Sequence, residues 1–197
     1  MINIPDFMPN LRHGSGETPK DGGCLIQIAG WLNDGVSWTD KTPCVHPVFR
    51  RLGINFNDWF DDTDRQKLLA FLPRIIGTGL TGDEAEDKRV AVGLAEYAAS
   101  QAQKFDAAVA VAAANAAAHA AVAAAAAAAV DAAAAADAAA NAAANAAYAA
   151  YAAGVEAQLG LFSRLLDEYD RLTGREVSGR TVPDEQWQAL KHEMQAH

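Results

Sequence analysis

Most side chains able to do chemistry in this chain lie in its N-terminal loops: His13, Ser15, Glu17, Cys24, Asp40, Cys44 and His46. Four of them, His13, Cys24, Cys44 and His46, are the ligand types that hold zinc, and a loop region with few large apolar groups would gain from such a staple. Their spacing is not that of a compact finger or ribbon, because Cys44 and His46 stand close together and the other two are remote. A Cys24–Cys44 disulfide is the competing arrangement in an oxidising compartment, and two free thiols are the ordinary state in a reducing one. A cysteine nucleophile with His46 or His13 as base is chemically conceivable. It needs a third residue to orient the imidazole and an electropositive setting to hold the thiolate.

The run from His13 to Glu17, His-Gly-Ser-Gly-Glu, resembles a catalytic serine turn only in outline. A nucleophile elbow sits between a strand and a helix, and no strand precedes this one, so a turn is the simpler reading. Trp38-Thr39-Asp40 reads as a hydrogen-bonded turn capped by Asp40, or as part of a ligand pocket. The binding candidates are therefore His13, Ser15, Glu17, Trp38 and Asp40; no catalytic residue and no cofactor is assigned, zinc on His13, Cys24, Cys44 and His46 being the one metal to test. His119 reads as a side chain bonded to a neighbouring helix, and Tyr148 with Tyr151 as a packing pair.

These loops must be positioned by helices. Proline and glycine crowd residues 1–23 and leave no room for a regular element. Leu25, Ile26, Ile28, Ala29 and Leu32 recur at helical spacing, with Asp21 before the start and a stop near Asn33 to Gly35. His46 and Pro47 open a helix toward Trp59, since proline is tolerated in a first turn. Thr63 with Gln66, and Thr81 with Glu84, have capping-box spacing and predict helix starts. The first helix carries Leu68 to Ile75 and stops at Gly77; the second carries Val90 to Tyr97.

From Leu94 to Ala153 there is neither glycine nor proline, and alanine dominates. Alanine has the highest helix propensity, so the whole stretch is expected to be helical. A single helix of about 50 residues would extend about 75 Å and could not pack along its length against the remainder of a small chain. Asp137, Asn141, Asn145, Tyr148 and Tyr151 share one helical face, as do Asn115, His119 and Val122, but the two stripes do not continue one another. A turn is placed at Val130–Asp131. After Gly154 an amphipathic helix runs to Gly174, Gly179–Pro183 is a linker, and Pro183 opens a last helix with Trp187, Leu190 and Met194.

The expected fold is all-α: a small N-terminal helical region with loops, long alanine-rich helices packed as a bundle or hairpin, and C-terminal amphipathic helices. The corresponding segments are 1–82, 83–174 and 175–197, read as one structural unit. Of the 51% hydrophobic residues many are alanine, and aromatics make up only 8%, so the core is small and is supplied by the two ends.

A net charge of -9 argues against a dedicated nucleic-acid binder, because Arg50, Arg51, Lys88 and Arg89 form no phosphate-binding cluster. Residues Val109–Val130 are long enough to span a bilayer, but Asn115 and His119 interrupt a run of only marginally hydrophobic alanine, and no membrane role is assigned. Met1 to Pro9 lacks a signal-peptide pattern, so a cytoplasmic location is expected. Ice binding by a flat alanine helix would want regularly spaced threonines, which the chain lacks.

The blocks Leu11-Arg-His-Gly-Ser-Gly-Glu17, Gly22-Gly-Cys-Leu-Ile-Gln27, Trp38-Thr-Asp40, Pro43-Cys-Val-His-Pro47 and Leu69 to Thr78 resemble an uncharacterised family of actinobacterial and actinobacteriophage proteins. In that family a similar N-terminal block leads to an alanine-rich helical tail, sometimes labelled immunity-like. Val90 to Gln101 is similar to its linking helix, and Leu165 to Gly174 extends the resemblance. The motifs are specific as a family tag and imply no activity. The expectation is a non-enzymatic phage or phage-derived interaction protein with a protein partner, modulating a host or defence protein and able to self-associate through its alanine-rich helices. The alternative is a zinc-binding or cysteine/histidine-dependent enzyme that uses the same loops.

Overall fold

The computed structural model describes residues 10–104, 110–128, 131–151, 153–176 and 182–195. Among them the regular backbone is helical, apart from an isolated parallel bridge between Leu11 and Gly23. The all-α expectation is met. The expectations for Pro5, Pro9, Val109, Val130 and Gly179 lie outside the described residues. No helix among the described residues is long and apolar enough to cross a membrane.

The chain divides into two compact units, the first taking Met1–His46, Gly53–Gly79 and Val177–His197 and the second Pro47–Leu52 and Leu80–Glu176. In the first unit a 3-10 turn, Pro19–Asp21, precedes α1, Leu25–Asp34. Thr18 and Asp21 cap that turn reciprocally, so Asp21 does not start α1. Cys24 does, with Gln27 accepting from its backbone N–H at 3.2 Å. Gly35, left-handed at φ 73°, ends the helix and returns its N–H to Trp31 O at 2.7 Å.

Helix α2, Pro47–Trp59, is divided between the units at Leu52 and Gly53. Arg65, 3% exposed, closes its end by donating to the carbonyls of Asn57 and Phe60, both at 2.6 Å. The predicted helix over Thr63–Ile75 is instead three short pieces: α3, Asp62–Gln66, a 3-10 turn, Lys67–Phe71, and α4, Leu72–Ile75. Asp61, not Thr63, caps α3, accepting from the N–H groups of Thr63 and Asp64. The last helix, α9, spans Asp184–Gln195 and buries Trp187 and Leu190.

In the second unit α5, Glu84–Ala102, is capped by Asp83 rather than by Thr81. The Thr81 hydroxyl donates to Asp87 Oδ1 at 2.9 Å and accepts from Asp83 N at 3.1 Å. The alanine-rich stretch is not one or two helices but parts of three: α5, α6, Ala110–Ala128, and α7, Ala132–Tyr151. Asp131 stands at the second break, as expected, and caps α7 by accepting from Ala134 N at 2.9 Å. The first break, at the turn of Gln103 and Lys104, contradicts the uninterrupted helix. A fold-back costs a few helix hydrogen bonds, whereas it lets three alanine faces bury one another. α7 is the inner helix, with Ala135, Ala136, Ala139, Ala142, Ala143, Ala146 and Ala150 enclosed against α5, α6 and α8.

Helix α8, Val155–Thr173, ends at left-handed Gly174 and supplies the large side chains of this unit. Phe49 of the first turn of α2 packs on Phe162 at 6.2 Å and meets Tyr169 edge-on at 5.5 Å. Gly93 of α5 lies where a Cβ would stand 2.7 Å from Leu172 Cδ1, so glycine permits the close α5–α8 approach.

Candidate recognition loop

Residues Leu11–Gly16 have no regular secondary structure of their own, so their backbone polar groups must be satisfied by something else. Side chains of the neighbouring helices do this. Gln66 of α3 accepts from Leu11 N at 3.0 Å and donates to Leu11 O at 2.9 Å. Gln27 of α1 grips Gly16 in the same way, accepting from its N–H at 3.1 Å and donating to its carbonyl at 2.8 Å. Each carboxamide imitates a peptide group and forms a two-bond pair with one loop residue. Between them Asn57 Nδ2 donates to Arg12 O at 2.7 Å, and Gly14 N donates to Asp58 Oδ1 at 3.0 Å. Arg12 N also donates to Gly23 O at 3.1 Å.

The consequence is a loop with a fixed backbone and outward side chains. His13, Ser15 and Glu17 are exposed, whereas Leu11 and Gly16 are buried. Trp38 is half-buried and belongs to the support: its indole N–H donates to Gly16 O at 3.0 Å, and its ring lies where a Cβ on Gly23 would be 2.6 Å from Cζ2. Asp40 is half-buried in the following turn, which is tied by Thr39 Oγ1 accepting from Lys41 N at 3.1 Å. The capping assigned to Asp40 therefore falls to Thr39. Of the five binding candidates, His13, Ser15 and Glu17 share the exposed loop, and Trp38 reaches it from below.

The zinc candidates do not converge. Among the described residues no three His, Cys, Asp or Glu side chains are grouped to hold a metal ion. His13 stands in solvent, Cys24 is 3% exposed at the start of α1, and His46 is 1% exposed with its backbone N–H on Thr78 Oγ1 at 3.0 Å. Cys44 is half-buried, receives the Thr42 hydroxyl at 3.2 Å and places its sulfur 3.8 Å from Ala29 O. Both cysteines are free thiols, so the disulfide is not formed. Burial pushes both thiols above their ordinary pKa, which opposes the thiolate that a nucleophile or a zinc ligand needs.

The residues that sequence reasoning missed are the two glutamines. Gln27 carried a signal, because it is the lone polar residue in the apolar run from Leu25 to Ala29 and is 3% exposed. Gln66 carried a misleading one, since its spacing from Thr63 suggested a capping box.

Comparison of the chain with profiles of known protein families, with curated proteins and with solved structures gives no match.

Proposed function

We propose that this is a non-enzymatic interaction protein of phage or phage-derived origin, acting in the cytoplasm, whose loop from Arg12 to Glu17 engages a host or defence protein. The carrying observation is the gripped backbone of that loop beneath the exposed His13, Ser15 and Glu17. A pre-ordered loop loses little conformational entropy on binding, and recognition residues are commonly held on loops by a rigid scaffold. The phage origin rests on the family resemblance of the N-terminal blocks.

The test is capture from an actinobacterial lysate by the immobilised full-length chain, compared with its H13A/S15A/E17A variant. A protein retained by the first and reduced at least tenfold on the second supports the reading. Equal retention on both, or none on either, rejects it.

Self-association through the alanine-rich helices has its own supporting observation. α6 carries no charged residue; among its side chains whose burial is described it buries a stripe at Ala112, Ala116, Ala120 and Ala123 and exposes Ala117, Ala118, Ala121 and Val122. On an acidic chain this is a face that does not repel its own copy. A solution mass of a dimer or higher, reduced to the chain mass by Val122→Glu, is the expected result; a wild-type monomer contradicts it.

A further inference from the structure

Beside the recognition loop, within the first unit, the 3-10 turn and the last turn of α9 enclose an open cleft of about 540 Å³. Its donors are Arg12, Lys20, Asn10 and Gln195, and Met194 supplies an apolar wall. We infer that this cleft binds the carboxylate of an acidic peptide segment. The inference rests on the proposed interaction role and names the chemistry of the partner's segment.

The charge arrangement carries the argument. Arg65, Lys67, Lys88, Arg89, Arg171 and Arg175 each lie within salt-bridge distance of a carboxylate. Arg12 and Lys20 have no salt bridge among the described residues, as is also true of Lys41, Arg50, Arg51, Lys104 and Arg164; what sets the two apart is that they line one cleft. Arg12 spends one guanidinium N–H on the Asp21 carbonyl at 2.6 Å, which fixes the group and leaves its other donors for a ligand. The cleft's own acid, Asp21, stays ionised: its Oδ2 accepts from both the N–H and the hydroxyl of Thr18 at 2.9 Å, which with the nearby Arg12 holds its carboxyl below the usual range, so it offsets one of the two cations. Gly22, at φ 71°, is in the left-handed region that favours glycine, and a Cβ there would stand 3.2 Å from Asn10 O, beside the cleft. Two cations and one carboxylate thus line one concavity, leaving one positive charge uncompensated on a chain of net charge -9. A polyanion such as nucleic acid would be repelled by the remainder of the chain, whereas a single carboxylate flanked by an apolar residue matches the one uncompensated charge and Met194.

The probe is an acetylated, amidated pentapeptide, Gly-Leu-Glu-Leu-Gly, titrated into the full-length chain while NMR follows the Arg12 Nε–H and the Met194 methyl; a peptide with Gln in place of Glu is the control. Saturable shifts at both reporters are expected, with affinity at least fivefold weaker for the Gln peptide, for R12Q and for K20Q. Absence of shifts at tens of millimolar peptide, or a smaller weakening in any of these comparisons, overturns the proposal. K20Q removes a charge without removing a hydrogen bond within the described residues, so it decides the matter if R12Q does not fold. If peptide binding survives while H13A/S15A/E17A leaves partner capture unchanged, the loop reading alone falls. Partner capture without peptide binding rejects the cleft alone.

Discussion

Gln27 and Gly16 form a two-bond amide pair, N–H to Oε1 at 3.1 Å and Nε2 to carbonyl at 2.8 Å, joining α1 to a loop with no hydrogen-bond ladder of its own. The same Gln27 Oε1 accepts from Cys24 N at 3.2 Å, so one buried carboxamide serves both the loop and the start of its helix. Gln27→Ala strands buried backbone groups at both places. Its expected cost is roughly 2–4 kcal/mol in urea unfolding, because an unsatisfied buried polar group costs more than the net worth of a bond. Gln27→Glu is expected to recover little at neutral pH, since an ionised carboxylate cannot donate to Gly16 O.

Gly16 and Gly14 differ in why they are glycine. A Cβ on Gly16 would stand 1.9 Å from the carbonyl oxygen of Gly22, so Gly16→Ala is expected to displace the loop or prevent folding. A Cβ on Gly14 meets nothing within 4 Å, and only its φ of 70° disfavours a side chain. Gly14→Ala should therefore cost only about 1 kcal/mol. Thermal unfolding of the two variants separates a steric from a conformational penalty.

Gln158 and Gln101 make a contrasting pair in the alanine-rich unit. Both are 2% exposed, but Gln101 accepts from Arg164 Nε at 3.1 Å, whereas Gln158 Oε1 has no hydrogen-bond partner among the described residues. Gln158→Met is expected to stabilise by about 1 kcal/mol, because it removes an unsatisfied buried carbonyl at nearly constant volume. Gln101→Met is expected to destabilise by about the same amount. Chemical denaturation of both variants checks the opposite signs.

The thiols of Cys24 and Cys44 have pKa values raised above 9.0 by burial. The unfolded chain therefore loses these protons more readily than the folded one. Their contribution to stability is fully present below the unfolded pKa and is lost as pH rises above about 9 toward the folded values. Stability measured from pH 7 to 10.5 should fall over that window, and should fall less in C24A/C44A. Alkylation by iodoacetamide at pH 7.5 is expected to follow global unfolding for Cys24; rapid labelling of the native chain would contradict the enclosed setting.

Much of the helical skeleton was legible, for reasons local to the chain. Gly35 and Gly174 end helices in the left-handed conformation that glycine favours, and Pro47 opens α2 because a first turn needs no intrahelical donor. Asp131 was legible because two polar stripes could not share one face. The observed caps lie two residues from the predicted ones, Asp61 before Thr63 and Asp83 after Thr81, because aspartate caps a helix as well as threonine does and spacing alone does not choose between them. α5 ends at Ala102, with Gln103 and Lys104 in a turn although both are good helix formers, and the helix it leaves packs on α6 and α7.

The candidate site was half legible. Residue types drew attention to His13, Ser15 and Glu17, and these are the side chains exposed on the gripped loop. The grip itself was hidden, since Gln66 meets Leu11 across 55 residues and Asn57 meets Arg12 across 45. Local spacing holds no record of such distant pairs. The metal set failed for the same reason in reverse: suitable types at unsuitable spacing were not gathered by the fold.

Amide hydrogen exchange at Leu11, Arg12 and Gly16 probes the grip most directly, because each of these N–H groups donates to an acceptor from another segment of the chain. Exchange should be slowed to the range of the α1 amides in the native chain, with Gly16 losing its protection selectively in Gln27→Ala. Exchange of these three amides at free-chain rates would contradict the fixed loop, and with it the recognition surface that His13, Ser15 and Glu17 are proposed to form.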